Sequence, residues 1–226
     1  MRTNHPTVVS FSGIDGAGKT TQIQALERHL KSFGLSSVRY TFWEQIAVLR
    51  AFREFISLSA FKGDIGVGSP GNPIQRRDKN VASWYVHLAR LVFYALDALK
   101  LRLVLARFHR SRADFVIFDR YIYDELANLP LHRGSVKLYA RLLLRVAPKP
   151  HVAYLLDTDP IAACQRKPEY PLEFVKKNRE AQLAISRMVE GMKVVGSFSE
   201  QQAFACIVGS IGFSAPEATA RGMQLQ

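Results

Sequence analysis

The stretch Thr7-Val8-Val9-Ser10-Phe11-Ser12 runs into Gly13-Ile14-Asp15-Gly16-Ala17-Gly18-Lys19-Thr20, and Ile23, Leu26 and Leu30 follow at helical spacing. The first segment is short, β-rich and bounded by Gly13, which predicts a strand. The apolar residues after Gly18 fall on one face, with Glu27, Arg28 and Lys31 off it, which predicts a helix ending at Gly34. Ser36 to Phe42 then predicts a second strand. Strand, glycine loop, helix and strand form a βαβ unit, and that implies a parallel α/β sheet.

The loop meets the pattern GxxxxGK[ST] in full. Glycines let backbone N–H groups turn inward and approach phosphate oxygens without a clashing Cβ. The helix N-terminus aims its partial positive charge at the same anion. Lys19 supplies a mobile charge to β- and γ-phosphates, and the Thr20 hydroxyl is a ligand for Mg²⁺. The predicted cofactor-binding loop residues are Gly13, Asp15, Gly16, Ala17, Gly18, Lys19, Thr20 and Thr21, and the expected ligands are ATP and Mg²⁺. Asp15 is unusual there, because a carboxylate beside a triphosphate repels it unless it points elsewhere. It either faces the acceptor or stabilises the turn.

Working outward, the 226-residue chain is long enough for one well-buried domain. Its 48% hydrophobic and 22% charged residues are ordinary for a globular protein. The net charge of +12 concentrates anions near the surface without choosing among nucleotides, nucleic acid and acidic lipid. Cys164 and Cys206 form no CxxC pair and no disulfide framework, and the reading is of idle thiols in a reducing, cytoplasmic setting. Nothing resembles a secretory signal or an 18-residue apolar span.

Ala47 to Leu58 is expected to be helical. Residues 62–80 hold Gly63, Gly66, Gly68, Pro70, Gly71 and Pro73, and are expected to form a long mobile loop. That loop is either a flap near the acceptor or a surface excursion, and the second reading is favoured. Val81 to Arg110 predicts a long helix whose apolar face is Trp84, Leu88, Leu91, Ala95, Leu99 and Leu103. Phe115-Val116-Ile117-Phe118 is a buried-strand pattern that delivers Asp119 at its C-terminal edge. Further elements are a helix over Ser135 to Val146, a strand over His151 to Leu156, a short helix from Pro160, a longer one from Pro171, a strand over Met192 to Val195 and a last helix capped by Ser199. Residues 215–226 read as a frayed tail. No linker divides the chain, so residues 1–226 are one domain.

In open parallel sheets ligands gather outside the carboxyl ends of strands, which puts Asp119-Arg120-Tyr121 on the same edge as the phosphate loop. A carboxylate there can hold Mg²⁺, directly or through water, or position an acceptor, and an arginine can clamp a phosphate bidentately. The loop with Thr20-Thr21-Gln22, the strand ending Asp119-Arg120-Tyr121, and Tyr154-Leu155-Leu156-Asp157 followed by Asp159-Pro160 resemble the thymidylate kinase family over nearly the whole chain. The resemblance implies a three-layer P-loop kinase fold, a five-stranded parallel sheet with helices on both faces. It implies Mg-ATP-dependent phosphoryl transfer to a nucleoside monophosphate, dTMP first, and often a homodimer. On it, Lys19, Asp119, Arg120 and Arg166 are catalytic, Thr20 and Asp119 hold metal, and Asp15 and Arg120 meet the small-molecule acceptor, to which the residues themselves add Glu44 and Tyr121 as expected acceptor contacts. Residues 165–171, with Arg166 and Lys167, fall where the family has a short basic lid.

The acceptor side departs from the family. Its Arg-Glu-Pro-Gly-Gly run is replaced by Thr41-Phe42-Trp43-Glu44-Gln45, its Ala-Asp-Arg triplet by Ala95-Leu96-Asp97, and its Ser-Ser-Ala-Tyr-Gln by Ile122-Tyr123-Asp124-Glu125-Leu126. Trp43, Glu44, Tyr121, Tyr123 and Asp124 are then candidates for a different pocket. The alternatives are a kinase for another small acceptor, or a P-loop ATP-binding protein without transferase activity that docks on an anionic partner. Arg133, Lys137, Arg141 and Arg145 recur at i+4 and form one basic stripe. Nucleic acid, an acidic protein or an anionic surface would complement it. The favoured reading is a solvated face, with Leu138, Leu142 and Val146 packing inward.

Overall fold

The computed structural model describes residues 6–47, 84–108, 113–196 and 199–211, with side chains of 84–90 excepted. The expected helix after Ala47, the glycine-rich loop at 62–80 and the tail at 215–226 lie outside the described residues. Five strands, β1 (Thr7–Gly13), β2 (Ser37–Thr41), β3 (Phe115–Asp119), β4 (Val152–Leu156) and β5 (Lys193–Val195), form one sheet in the order β2-β3-β1-β4-β5. Every pairing is parallel, so the expected α/β architecture is what forms. The register sets Phe11 and Thr41 beside Asp119, and Gly13 beside Leu156. The carboxyl ends of β1, β2, β3 and β4 therefore share one edge.

The helices are α1 (Lys19–Ser32), α2 (Trp84–Phe108), α3 (Ile122–Leu126), α4 (Gly134–Val146), α5 (Pro160–Arg166), α6 (Leu172–Ser186) and α7 (Glu200–Ile211). Two cores lie on opposite faces of the sheet. One joins α1 and α7 to Val9, Phe11, Phe115 and Ile117. The other joins α2, α3 and α4 to Val8, Val116 and Phe118. Alternate residues of β1 and β3 thus serve opposite cores, as a strand's period of two requires. Ile23, Leu26 and Leu30 of α1 are fully buried, each stabilising by roughly 2 kcal/mol.

Two expected helical faces are corrected. In α2 the buried side is Tyr94, Asp97, Ala98, Leu101 and Leu105, whereas Leu99 and Leu103 are exposed. In α4 the core takes Ala140 and Leu143, with Val136 and Tyr139 packed beside them, whereas Leu138, Leu142 and Val146 face solvent. Both helices carry apolar residues on two sides, so periodicity finds stripes without telling which one meets the sheet. Phe42, expected to end the second strand, instead opens a single π-helical turn, Phe42–Ile46. The five-residue α3 was not expected. Within α3, from Ile122 to Leu126, every residue is buried.

Candidate active site

The loop between β1 and α1 turns on left-handed glycines, among them Gly16 at φ 83°. A Cβ at Gly16 would come within 2.5 Å of the Ala163 carbonyl oxygen of α5, so only glycine fits between loop and helix. At Gly18, also left-handed, a Cβ would meet nothing within 4 Å, which leaves the N-terminus of α1 open above the loop. Lys19 is buried, and its Nζ donates to the carbonyls of Gly13 at 2.7 Å and Ile14 at 2.8 Å. Burial, with a smaller push from the Arg120 guanidinium, brings its ammonium down to about 8, against partial support from Asp15, Asp124 and Asp119. Thr20 is exposed at the first turn of α1, Thr21 is half-buried and Ala17 is buried.

Arg120 follows the end of β3 with a φ of 66°, the left-handed region that a side chain adopts only under constraint. Its N–H donates to the Phe11 carbonyl at 2.9 Å, which ties it to β1. Its guanidinium bonds the Asp15 carboxylate and reaches Asp124 at 3.5 Å. Asp15 thus turns away from the phosphate cradle and toward Arg120. These carboxylates outweigh burial and hold the Arg120 charge more firmly than usual, although burial is the largest single influence.

Asp119 accepts from Arg39 of β2 at 2.5 Å. Arg166, at the end of α5, donates to the Gly16 carbonyl at 2.9 Å, so the lid segment reaches the loop. Lys167 pairs instead with Glu169 at 3.0 Å. Glu44 and Trp43 are exposed on the turn after β2, at the same sheet edge.

Tyr121 does not line this surface. It is fully buried, its ring meets Phe118 and Tyr123, and its hydroxyl donates to the Pro148 carbonyl at 2.8 Å. The acceptor-binding role expected for it is replaced by a core role, because its side chain points back under the sheet edge. Tyr123 is buried likewise.

Three polar residues join the site without a motif to announce them. Arg39 comes from mid-strand. Asp124 is a buried hub that accepts from Ser12 Oγ at 2.6 Å, from the Tyr121 N–H at 3.1 Å and from Gln182 at 3.4 Å. Arg179 of α6 clamps Asp157 through two bonds of 2.5 and 2.8 Å, fixing the end of β4. Each is brought in by tertiary contact, and of the three only Asp124 stood out in the sequence, as a candidate for the acceptor pocket.

The arrangement offers an open helix N-terminus, a buried lysine whose partners are exchangeable carbonyls, an exposed hydroxyl and a restrained arginine. Glycine loop, Lys19 and Thr20 suit a triphosphate and its metal in residue type and in the space left above Gly18.

Thymidylate kinase of Caldanaerobacter subterraneus is 26% identical over 207 residues, covering 83% of this chain and 88% of that protein. The structure of thymidylate kinase from Candida albicans matches with a TM-score of 0.59 at 18% identity, covering 92% of this chain and 91% of the other. That from Ehrlichia chaffeensis matches at 0.57 and 17%, covering 92% and 98%. No family model matches the chain.

Proposed function

We propose that this chain, thymidylate kinase-like in both sequence and fold, is a nucleotide kinase that transfers the γ-phosphoryl group of Mg-ATP to a nucleoside monophosphate, with dTMP the first acceptor to test. One observation carries the reading. The phosphate loop, Arg120 and Arg166 converge on a single sheet edge, with Lys19 buried beneath them. Mg-ATP supplies the phosphoryl group and neutralises part of its charge.

The residues act by position and charge. Lys19 exchanges its two carbonyl partners for phosphate oxygens, and the buried ammonium gains the anion it lacks. Thr20 and Asp119 are the oxygen donors that would hold the metal, Asp119 also being paired with Arg39. Arg120, steered by Asp15 and Asp124, presents its guanidinium to the acceptor phosphate. Arg166 closes over the loop and stabilises charge on the moving group. Asp15 and Glu44 flank the acceptor.

A different small phosphate acceptor is the second reading, and burial favours it. Phe42, Asp97 and the residues from Ile122 to Leu126 occupy positions where the resemblance expects acceptor recognition, yet all are buried. The test incubates the protein with Mg-ATP and a panel of nucleosides, nucleoside monophosphates and small metabolites, with products read by mass spectrometry. Product from dTMP supports the first reading and product from another acceptor the second. ATP binding with no product from any acceptor overturns both in favour of a non-transferring ATP-binding protein.

A homodimer is part of the proposal, supported by the exposed stripe Val92, Leu96, Leu99 and Leu103 on α2. Its 4-3-4 spacing suits helix pairing across a two-fold axis. Sedimentation should give twice the chain mass, and Leu99→Glu should give the monomer. A cytoplasmic location completes this reading, in keeping with the two free cysteines.

A further inference from the structure

Helix α4 carries two apolar stripes, and the fold uses one. Val136, Ala140 and Leu143 belong to the core beneath the sheet, and Ala147 continues their line. Leu138, Leu142 and Val146 repeat at i+4 elsewhere on the helix and are 57%, 50% and 51% exposed. At about 100° per residue their stripe lies well round the helix from the core line.

The residue before each of these three is a cation. Lys137-Leu138, Arg141-Leu142 and Arg145-Val146 are one pair repeated every fourth residue. The cations are also exposed, so a basic stripe runs beside the apolar one for the length of the helix. No aspartate or glutamate occurs between Glu125 and Asp157. The helix therefore has no acid of its own to set against this charge, and like charges at i+4 destabilise it slightly when it stands alone in water.

We propose that α4 is a docking surface for an anionic lipid bilayer. The helix lies in the plane of the headgroups. Leu138, Leu142 and Val146 enter the boundary between headgroups and acyl chains, and Lys137, Arg141 and Arg145 meet lipid phosphates. It lies on the membrane rather than through it, since no described helix is long and apolar enough to cross one.

Charge complementarity selects this occupant. Nucleic acid would satisfy the cations but leaves three aliphatic side chains with nothing to stack on, where strand-binding grooves use aromatics. A second copy of this chain in a two-fold contact would press the patch against itself, cation stripe to cation stripe, in a protein of net charge +12. A bilayer presents an anionic layer with an apolar layer directly beneath, which is the pairing that the helix repeats.

The test is sedimentation of the full chain with vesicles, with phosphoryl transfer not used as a readout. Vesicles of phosphatidylcholine with phosphatidylglycerol should carry the protein down, pure phosphatidylcholine should not, and salt should weaken the effect. The double variant Arg141→Gln, Arg145→Gln should lower partitioning about thirtyfold, each cation near an anionic surface giving about fivefold. The double variant Leu138→Ser, Leu142→Ser keeps the charge and should also release the protein. Both variants should melt at the wild-type temperature, since all four positions are exposed.

No pelleting with anionic vesicles would overturn the proposal. So would undiminished pelleting of the serine variant, which would mean adsorption by net charge alone. A halved sedimentation mass in the serine variant would reassign the face to contact between copies. Binding of single-stranded RNA that is lost in the arginine variant, without vesicle binding, would reassign it to nucleic acid.

Discussion

The loop after β1 and the turn after β2 share one sheet edge, yet they are built by different means. The first is made of backbone: left-handed glycines, a close approach to Ala163 and a lysine held by two carbonyls. The second is made of side chains. Phe42 and Ile46 anchor it in the core, Gln45 Oε1 accepts from the Thr41 N–H at 2.9 Å, and Trp43 and Glu44 project into solvent. A backbone-built site tolerates little change, because a new Cβ meets main chain that cannot move aside. A side-chain-built site can be rewritten residue by residue while the fold persists. On the proposed reading, the difference accounts for a donor half that keeps its motif beside an acceptor half that departs from the family's pattern.

The largest expected effect breaks the donor side directly. Lys19→Ala should reduce transfer on the order of 10³-fold, the scale of removing a principal charge-stabilising donor. Its melting temperature should not fall, because burying the amine is itself unfavourable. Transfer within tenfold of wild type would remove Lys19 from the chemistry.

Asp124→Asn tests what joins the halves. It weakens the Arg120 pairing and the bonds to Ser12 and Tyr121, and urea denaturation should show a loss of about 3 kcal/mol. Gly16→Ala should cost about 2 kcal/mol, from left-handed strain and the clash with Ala163, and should weaken ATP binding in titration calorimetry. An unchanged ATP affinity would mean that the loop is less confined than its contact with α5 implies.

At Lys19, ligand binding and folding respond to pH in opposite senses. The Lys19 ammonium titrates at about 8 when folded and at its ordinary 10.5 when unfolded. Between these values the unfolded chain holds a proton that the folded chain has shed, so this contribution to stability rises with pH, by up to about 1.4 kcal/mol per unit. Below about pH 8 the penalty of a buried charge is present in full. ATP needs the charged form, so its affinity should fall up to about tenfold per unit above pH 8. Lys19→Ala should flatten the stability trend. The smallest effect belongs to the side-chain-built turn: Glu44→Gln should change stability by less than about 0.5 kcal/mol and raise only the acceptor KM.

The sequence made the phosphate loop and the five strands legible because their signals are local. Gly13 to Thr20 must turn as glycine-rich backbone turns, and Val116-Ile117-Phe118 can be satisfied only inside a sheet. Leu138, Leu142 and Leu99 face solvent although their spacing suits a core face, because helical spacing reports a stripe and not its neighbour. Tyr121 lies in the core instead of a pocket, a difference the sequence does not carry, because an aromatic beside a site has the same composition whether it faces the ligand or the core. Arg39 carried no signal, and Asp124 was legible as a pocket candidate but not as a buried hub, since their partners Asp119 and Ser12 lie 80 and 112 residues away in the chain.

By itself, then, the sequence determined a parallel α/β sheet with a triphosphate-type loop at its edge, because period, glycine and charge act over a few residues. The tertiary structure decided which of two apolar stripes on α4 is core and which is surface, and that Arg120 is held between Asp15 and Asp124. Burial and ion pairing depend on what the rest of the chain brings alongside, and no local pattern contains that information.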